Sequence, residues 1–161
     1  MSAVIAQIET QHHAALLEMN AEFVHWLSPL DAQTLDYILA RASYARQIGN
    51  GAGVLIGYAY DVHYPDHKNL TWLGGRLSNF FYIDRIIISR AAQGKGYGRK
   101  LYEDAAAFAA SGGYSALACE VNTRPDNPGS HKFHLSQGFE TIGEQEFPDF
   151  NKSVRYYAKA L

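Results

Sequence analysis

The chain has 161 residues, 47% of them hydrophobic and 19% charged, with a net charge of −2 at pH 7. That length and composition suit one domain, residues 1–161, around a single core, and exclude disordered and fibrous classes. A charge so near zero gives no bulk attraction to nucleic acid or to an anionic membrane, so any anion site has to be local.

The N-terminal stretch MSAVIAQIETQHHAALLEM has no basic start and no continuous apolar segment. Nothing in the chain approaches the roughly 20 apolar residues of a membrane span, so a cytoplasmic protein is expected. AVIAQIE alternates well enough for a first strand, and HHAALLEMNAEFVHWL then places Leu16, Leu17, Met19, Phe23 and Val24 near helical spacing. A second helix is predicted over SPLDAQTLDYILARA, with Ser28 as cap, Pro29 in the first turn, Asp31 reaching back, and Leu35, Ile38 and Leu39 as the apolar stripe. SYARQIG and GVLIGYAY read as a hairpin across a glycine-bearing turn. From Asp61 to Asn79 no period is evident, and a connection of that length is a candidate substrate wall.

FFYIDRIIIS is β-branched and aromatic without alternation, as a central strand covered on both faces would be. RKLYEDAAAFAASGG follows as a helix with Leu101, Ala105 and Phe108 on one side, stopped by Gly112 and Gly113. YSALACEVN is a further strand, in which the single cysteine, Cys119, reads as a buried position and not as a nucleophile. DNPGSHKFHLSQGF opens a helix with Asn127 as cap and Pro128 at the first position. FETIGEQEF and SVRYYAKAL close the chain as strands.

Between the central strand and the following helix lie Gly94, Gly96 and Gly98 on alternate positions. Glycines so placed let the backbone turn tightly and leave its amides uncovered at a helix N-terminus, where an anion is favoured. The spacing fits neither the P-loop, since Lys95 is followed by Gly96, nor the dinucleotide fingerprint G-x-G-x-x-G. Lys95, Arg99 and Lys100 add side-chain charge beside it.

The segment RIIISRAAQGKGYGRKLYEDA resembles the signature of the GCN5-related N-acetyltransferase (GNAT) superfamily, Gln/Arg-x-x-Gly-x-Gly/Ala, matched by Gln93, Gly96 and Gly98. NPGSHKFHLSQGF resembles that family's later motif, with Asn127, Phe133, Gly138 and Phe139 in place. The resemblance implies an α+β fold, a mostly antiparallel twisted sheet of about seven strands flanked by about four helices and splayed at an acetyl-CoA site. It implies acetyl-CoA as cosubstrate, its pyrophosphate held by the amides of Gly94, Lys95, Gly96, Tyr97, Gly98 and Arg99, after Gln93. The pantetheine arm would pair edgewise with the strand at Ile86 and Ile88, and Asn127 and Ser130 would face the CoA arm.

Acetyl transfer to an amine needs a group to accept a proton, because ammonium pKa values are about 8 to 10.4. Asp84, interrupting the apolar strand near the implied splay, is the first candidate and Glu120 the second; salt bridging to Arg85 is the structural alternative for Asp84. His134 stands where many family members carry a tyrosine, and as imidazolium it would protonate the departing thiolate. By resemblance, the amide of Ile86 or its neighbour would polarise the carbonyl.

His131 and His134, and His63 and His67, lack cysteine or carboxylate companions, so no metal site is expected. The acceptor is expected near Trp26, Tyr64, Trp72 and Phe147, with Glu22, Asp66 and Asp149 favouring a cation. The leading reading is an N-acetyltransferase of a small-molecule amine or amino acid; the alternatives are a protein or peptide N-acetyltransferase and a non-catalytic acyl-CoA sensor. A homodimer through the aromatic strand SVRYYAKAL is expected by analogy.

Overall fold

A computed structural model describes residues 3–161. The elements run β1 (Ile5–Gln7), α1 (His13–Glu22), α2 (Ala32–Arg41), β2 (Tyr44–Ile48), β3 (Gly53–Ala59), α3 (Lys68–Gly74), β4 (Phe80–Ile88), α4 (Tyr97–Ser111), β5 (Ala116–Arg124), α5 (Pro128–Ser136), β6 (Glu140–Phe147) and β7 (Lys152–Ala160). The seven strands form one sheet in the order β1-β2-β3-β4-β5-β7-β6. Every neighbouring pair is antiparallel except β4–β5. Among the described residues no helix is long and apolar enough to cross a membrane.

The sheet separates two apolar clusters. Leu16 and Met19 of α1, Leu35 and Ile38 of α2, and Leu70 and Leu73 of α3 pack on one face with Tyr58, Tyr82 and Tyr156. Leu101, Tyr102, Ala105 and Ala109 of α4 pack on the other with Phe81, Ile83, Cys119 and Tyr157. The sheet is thus covered on both sides, which is why β4 reads as an apolar run without alternation, interrupted only by Asp84 and Arg85.

Three expectations change. The cap of α2 is Asp31, whose Oδ1 accepts the Thr34 amide at 2.7 Å, while the Ser28 hydroxyl is taken by Arg85 Nη2 at 3.2 Å. The 61–79 connection contains α3, making five helices; its cap is His67, whose Nδ1 accepts the Leu70 amide at 3.1 Å, a residue type outside the usual cap set and so silent in the sequence. Finally, β7 lies between β5 and β6, so SVRYYAKAL offers no free edge; the edges are β1 and β6.

Two irregularities in β4 build the site. Ile56 pairs with Arg85 and Gly57 with Ile83, leaving Asp84 as the extra residue of a bulge. The bulge exchanges the faces: Tyr82 belongs to the first cluster and Ile83 to the second, whereas beyond it Ile87 belongs to the first and Ile86 and Ile88 pack against the second. Secondly, β4 and β5 pair only over Phe80–Tyr82 with Ala116–Ala118, although each strand is nine residues long. Past that point they diverge, and a cavity of about 1020 Å³ opens between them.

Candidate active site

At one end of the cavity is the glycine loop. Gly94 and Gly96 have φ of 84° and 80°, in the left-handed region that glycine occupies without a side-chain clash. Gly96 caps α4 with no side chain closing over it, and the first donation from inside the helix is that of the Lys100 amide to the Gly96 carbonyl, at 3.1 Å. The amides of Tyr97, Gly98 and Arg99 therefore have no partner within the helix, and no acidic residue occupies its first turn. Gly98 serves packing: a Cβ there would stand 2.9 Å from Phe133 Cζ, so its absence lets α4 and α5 approach. Gln93 Nε2 donates to the Ile88 carbonyl at 3.3 Å, tying the loop back to β4, while Lys95 and Arg99 are exposed.

Ile86 and Ile88 line the cavity on a strand edge that β5 has left unpaired. Asn127 caps α5 through Oδ1 to the Ser130 amide at 3.4 Å. Both of these residues line the cavity on its opposite wall.

The carboxylates stand across the splay, each on its own hydrogen-bond network. Tyr58 donates its hydroxyl to Asp84 Oδ1 at 2.7 Å, and Arg85 Nε donates to Asp84 Oδ2 at 2.6 Å. His67 carries its proton on Nε2, because Nδ1 accepts the Leu70 amide, and so donates to the Tyr58 oxygen at 3.0 Å. Arg85 continues to Asn20 Oδ1 at 2.7 Å and to the Ser28 hydroxyl. Both ion-pair side chains are nearly sealed, at 5% and 7% exposure. Asp84→Asn would leave the Arg85 guanidinium buried against a neutral amide, and unfolding in urea should show a loss of about 2–4 kcal/mol. Unchanged stability would mean the pair contributes nothing.

Glu120 is held differently. The Tyr82 hydroxyl lies 2.5 and 2.7 Å from its two oxygens, and Asn69 Nδ2 donates to Oε1 at 2.7 Å. Asn69 is oriented in turn by the Tyr156 hydroxyl on its Oδ1 at 2.7 Å. Among the described residues no cation pairs directly with this carboxylate. Burial pushes its pKa up from 4.5 to about 7, the Asp84 charge adds to the rise, and the Tyr82 hydrogen bond and the Lys152 charge oppose it. A carboxylate ionising near neutrality can both take and release a proton under working conditions.

His134 reaches the cavity, but the imidazolium expected of it is not there. Its Nδ1 donates to the Ser130 carbonyl at 2.8 Å, and its Nε2 accepts the Tyr102 hydroxyl at 2.6 Å. Burial lowers its pKa to about 4, so at neutral pH the ring is uncharged.

Of the expected acceptor residues, Trp26 and Tyr64 line the cavity and Trp72 and Phe147 do not. Trp72 instead stacks on Tyr156 at 3.9 Å, fastening α3 to the last hairpin. None of Glu22, Asp66 and Asp149 lines it. Tyr82, Asn69, Tyr58 and Tyr102 escaped sequence reasoning, and His67 was weighed only as a metal ligand. The tyrosines lie buried inside apolar elements, and His67 and Asn69 lie in a segment without period.

A model of the acetyltransferase (GNAT) family matches residues 13–139. Among solved structures the chain is similar to Ard1 from Thermoplasma volcanium, with a TM-score of 0.77 and 14% identity over 100% of this chain and 99% of that one. It is similar to the ribosomal-protein-S18-alanine N-acetyltransferase from Escherichia coli, with a TM-score of 0.71 and 17% identity over 98% and 93% of the two chains. It is also similar to an acetyltransferase of the GNAT family from Streptococcus pneumoniae, with a TM-score of 0.69 and 22% identity over 99% of each chain. No curated protein sequence matches this chain.

Proposed function

The chain belongs to the acetyltransferase (GNAT) family and is an enzyme of the N-acetyltransferase type, and on that premise we propose that it acetylates the primary amine of a small molecule or amino acid, in the cytoplasm, with acetyl-CoA as donor. The observation that carries this reading is that one cavity runs from the amides of the glycine loop to Glu120.

The residues present fit acetyl-CoA. The uncovered amides of Gly94–Arg99, with Lys95 and Arg99 at the rim, suit a pyrophosphate. The unpaired edge of β4 at Ile86 and Ile88 suits a pantetheine amide, and Asn127 and Ser130 close the other side. When bound, the donor supplies an activated thioester.

Every other step falls to the chain. Glu120 takes the proton of the acceptor ammonium, which leaves a neutral nucleophile, and Tyr82 and Asn69 hold its carboxylate in place. Asp84, fixed by Arg85 and Tyr58, acts through its charge on Glu120 and not as the base itself. This reverses the order in which the sequence ranked the two. The amide of Ile86 or its neighbour serves as donor to the developing oxyanion. His134, neutral, orients the Tyr102 hydroxyl by accepting its hydrogen bond, and the pair lines the wall where the departing sulfur would lie; as the carbon–sulfur bond breaks, the second proton of the acylated nitrogen would pass to that sulfur, leaving amide and thiol.

The test is calorimetric titration with acetyl-CoA and CoA, followed by thiol release over amines, amino acids and short peptides. Binding in the micromolar range with turnover on small amines supports the reading. Turnover on peptide ends alone would favour a second reading, which rests on the fold shared with the ribosomal-protein-S18-alanine enzyme. Binding without turnover would revive the sensor, and no binding would remove the glycine loop from the mechanism.

A further inference from the structure

We propose that the acceptor carries a carboxylate close to its amino group, as an α-amino acid does, and that Lys152 reads that carboxylate. The inference rests on the acetyltransferase reading above and narrows its substrate class.

Lys152 opens β7, and strand alternation puts it on the same face as Val154 and Tyr156. Tyr156 is the cross-strand partner of Glu120, so Lys152 lies on the face where the proposed base works, opposite to that covered by α4. It lines the cavity, is only partly exposed, and makes no ion pair or hydrogen bond among the described residues. Its charge nonetheless reaches Glu120, drawing that carboxyl back toward ionisation.

The cavity's other charges are already engaged or placed elsewhere. Asp84 is ion-paired with Arg85, whose remaining contacts go to Asn20 and Ser28. Arg90 and Arg99 line the cavity next to the glycine loop, and each sits beside a glutamate, Glu22 and Glu103. Among the described residues, Lys152 is left as a cation without a counterion in the cavity that Glu120 shares, on the same face of the sheet. An anion arriving there would meet a cation with no other charge to satisfy.

A bare amine would bring a second positive charge against Lys152 and supply no partner for it. A zwitterion satisfies both groups at once: its ammonium goes to Glu120 and its carboxylate to Lys152, and the two contacts together aim the nitrogen. A peptide N-terminus has a neutral carbonyl at the corresponding place and forfeits the charge-assisted contact. The expectation of a cationic acceptor, drawn from Glu22, Asp66 and Asp149, loses its basis because none of the three lines the cavity.

The experiment compares each of the proteinogenic L-amino acids with its own α-carboxamide in the thiol-release assay at saturating acetyl-CoA. The carboxamide has the less basic amine, so unassisted chemistry runs in its favour and any preference for the acid reports recognition. At least one amino acid should exceed its carboxamide in kcat/KM by about 10- to 100-fold. Lys152→Met should bring that ratio close to one, chiefly through the acceptor KM and with the acetyl-CoA KM unmoved, and Lys152→Arg should retain it. Carboxamides acetylated as well as the acids, or a ratio unchanged in Lys152→Met, would overturn the inference alone. Reaction with peptide ends but with neither free acids nor carboxamides would overturn both it and the small-molecule reading.

Discussion

Glu120→Gln should lower kcat/KM by about 100- to 10,000-fold at pH 8, the range a positioned general base contributes. Glutamine keeps the shape and an oxygen for Tyr82 or Asn69 but accepts no proton. In the native enzyme, kcat/KM should rise tenfold per pH unit below about 7 and level off above it, reporting ionisation of Glu120 in the free enzyme. The variant should lose that limb. A second signature separates loss of the base from loss of structure. The folded pKa of Glu120 is raised above its ordinary value, so the folded state holds the proton more firmly than the unfolded chain does. The stability this contributes is present in full below about 4.5 and lost as pH rises through about 7. The loss is on the order of 3 kcal/mol. Glu120→Gln is free of that penalty, so its stability relative to the native protein should climb between pH 5 and pH 8 while its activity collapses. An inactive variant with no such climb would mean that Glu120 is already ionised in the fold. Near-normal turnover would return the role of base to Asp84.

The difference between Asp84 and Glu120 also marks what the sequence can reveal. Both are single acids in apolar strands; the Arg85 that follows Asp84 already offered it an ion pair, whereas nothing in ALACEVN shows that Glu120 faces tyrosine and asparagine. The decision is made by long-range partners: Asn69 meets Glu120 across 51 positions, and Asn20 meets Arg85 across 65. The glycine loop was legible because its requirement is local, positive φ at two glycines and a helix opening directly after them. The central strands β3 and β4 were legible because burial on both faces leaves an apolar run. What stayed hidden was α3, a seven-residue helix capped by a histidine side chain. It is that helix which carries Asn69 to the base and, through its cap, His67 to Tyr58. His134 was located by motif, but its protonation state depends on burial and on the Ser130 carbonyl, which a motif does not encode.

Gly96→Val should raise the dissociation constant of CoA by about 100-fold while leaving the melting temperature within a few degrees of the native value. The argument depends on what surrounds that glycine. A Cβ at Gly96 meets nothing nearer than Arg99 Nη2 at 3.9 Å, so the core does not feel it. Its φ of 80° is one that a β-branched residue rarely adopts, so the loop must rearrange by about 1–3 kcal/mol of strain, and the amides of Tyr97, Gly98 and Arg99 turn away from the anion. Gly98 supplies the contrast within the same motif. Its backbone is ordinary, but a Cβ there collides with Phe133, so Gly98→Val should part α4 from α5 and lower stability and CoA affinity together. Calorimetry beside thermal unfolding on the two variants distinguishes the cases. If Gly96→Val bound CoA as tightly as the native protein, the amides at the start of α4 would not be holding the pyrophosphate. If it melted as early as Gly98→Val, the loop would be part of the core and its glycines a packing requirement throughout.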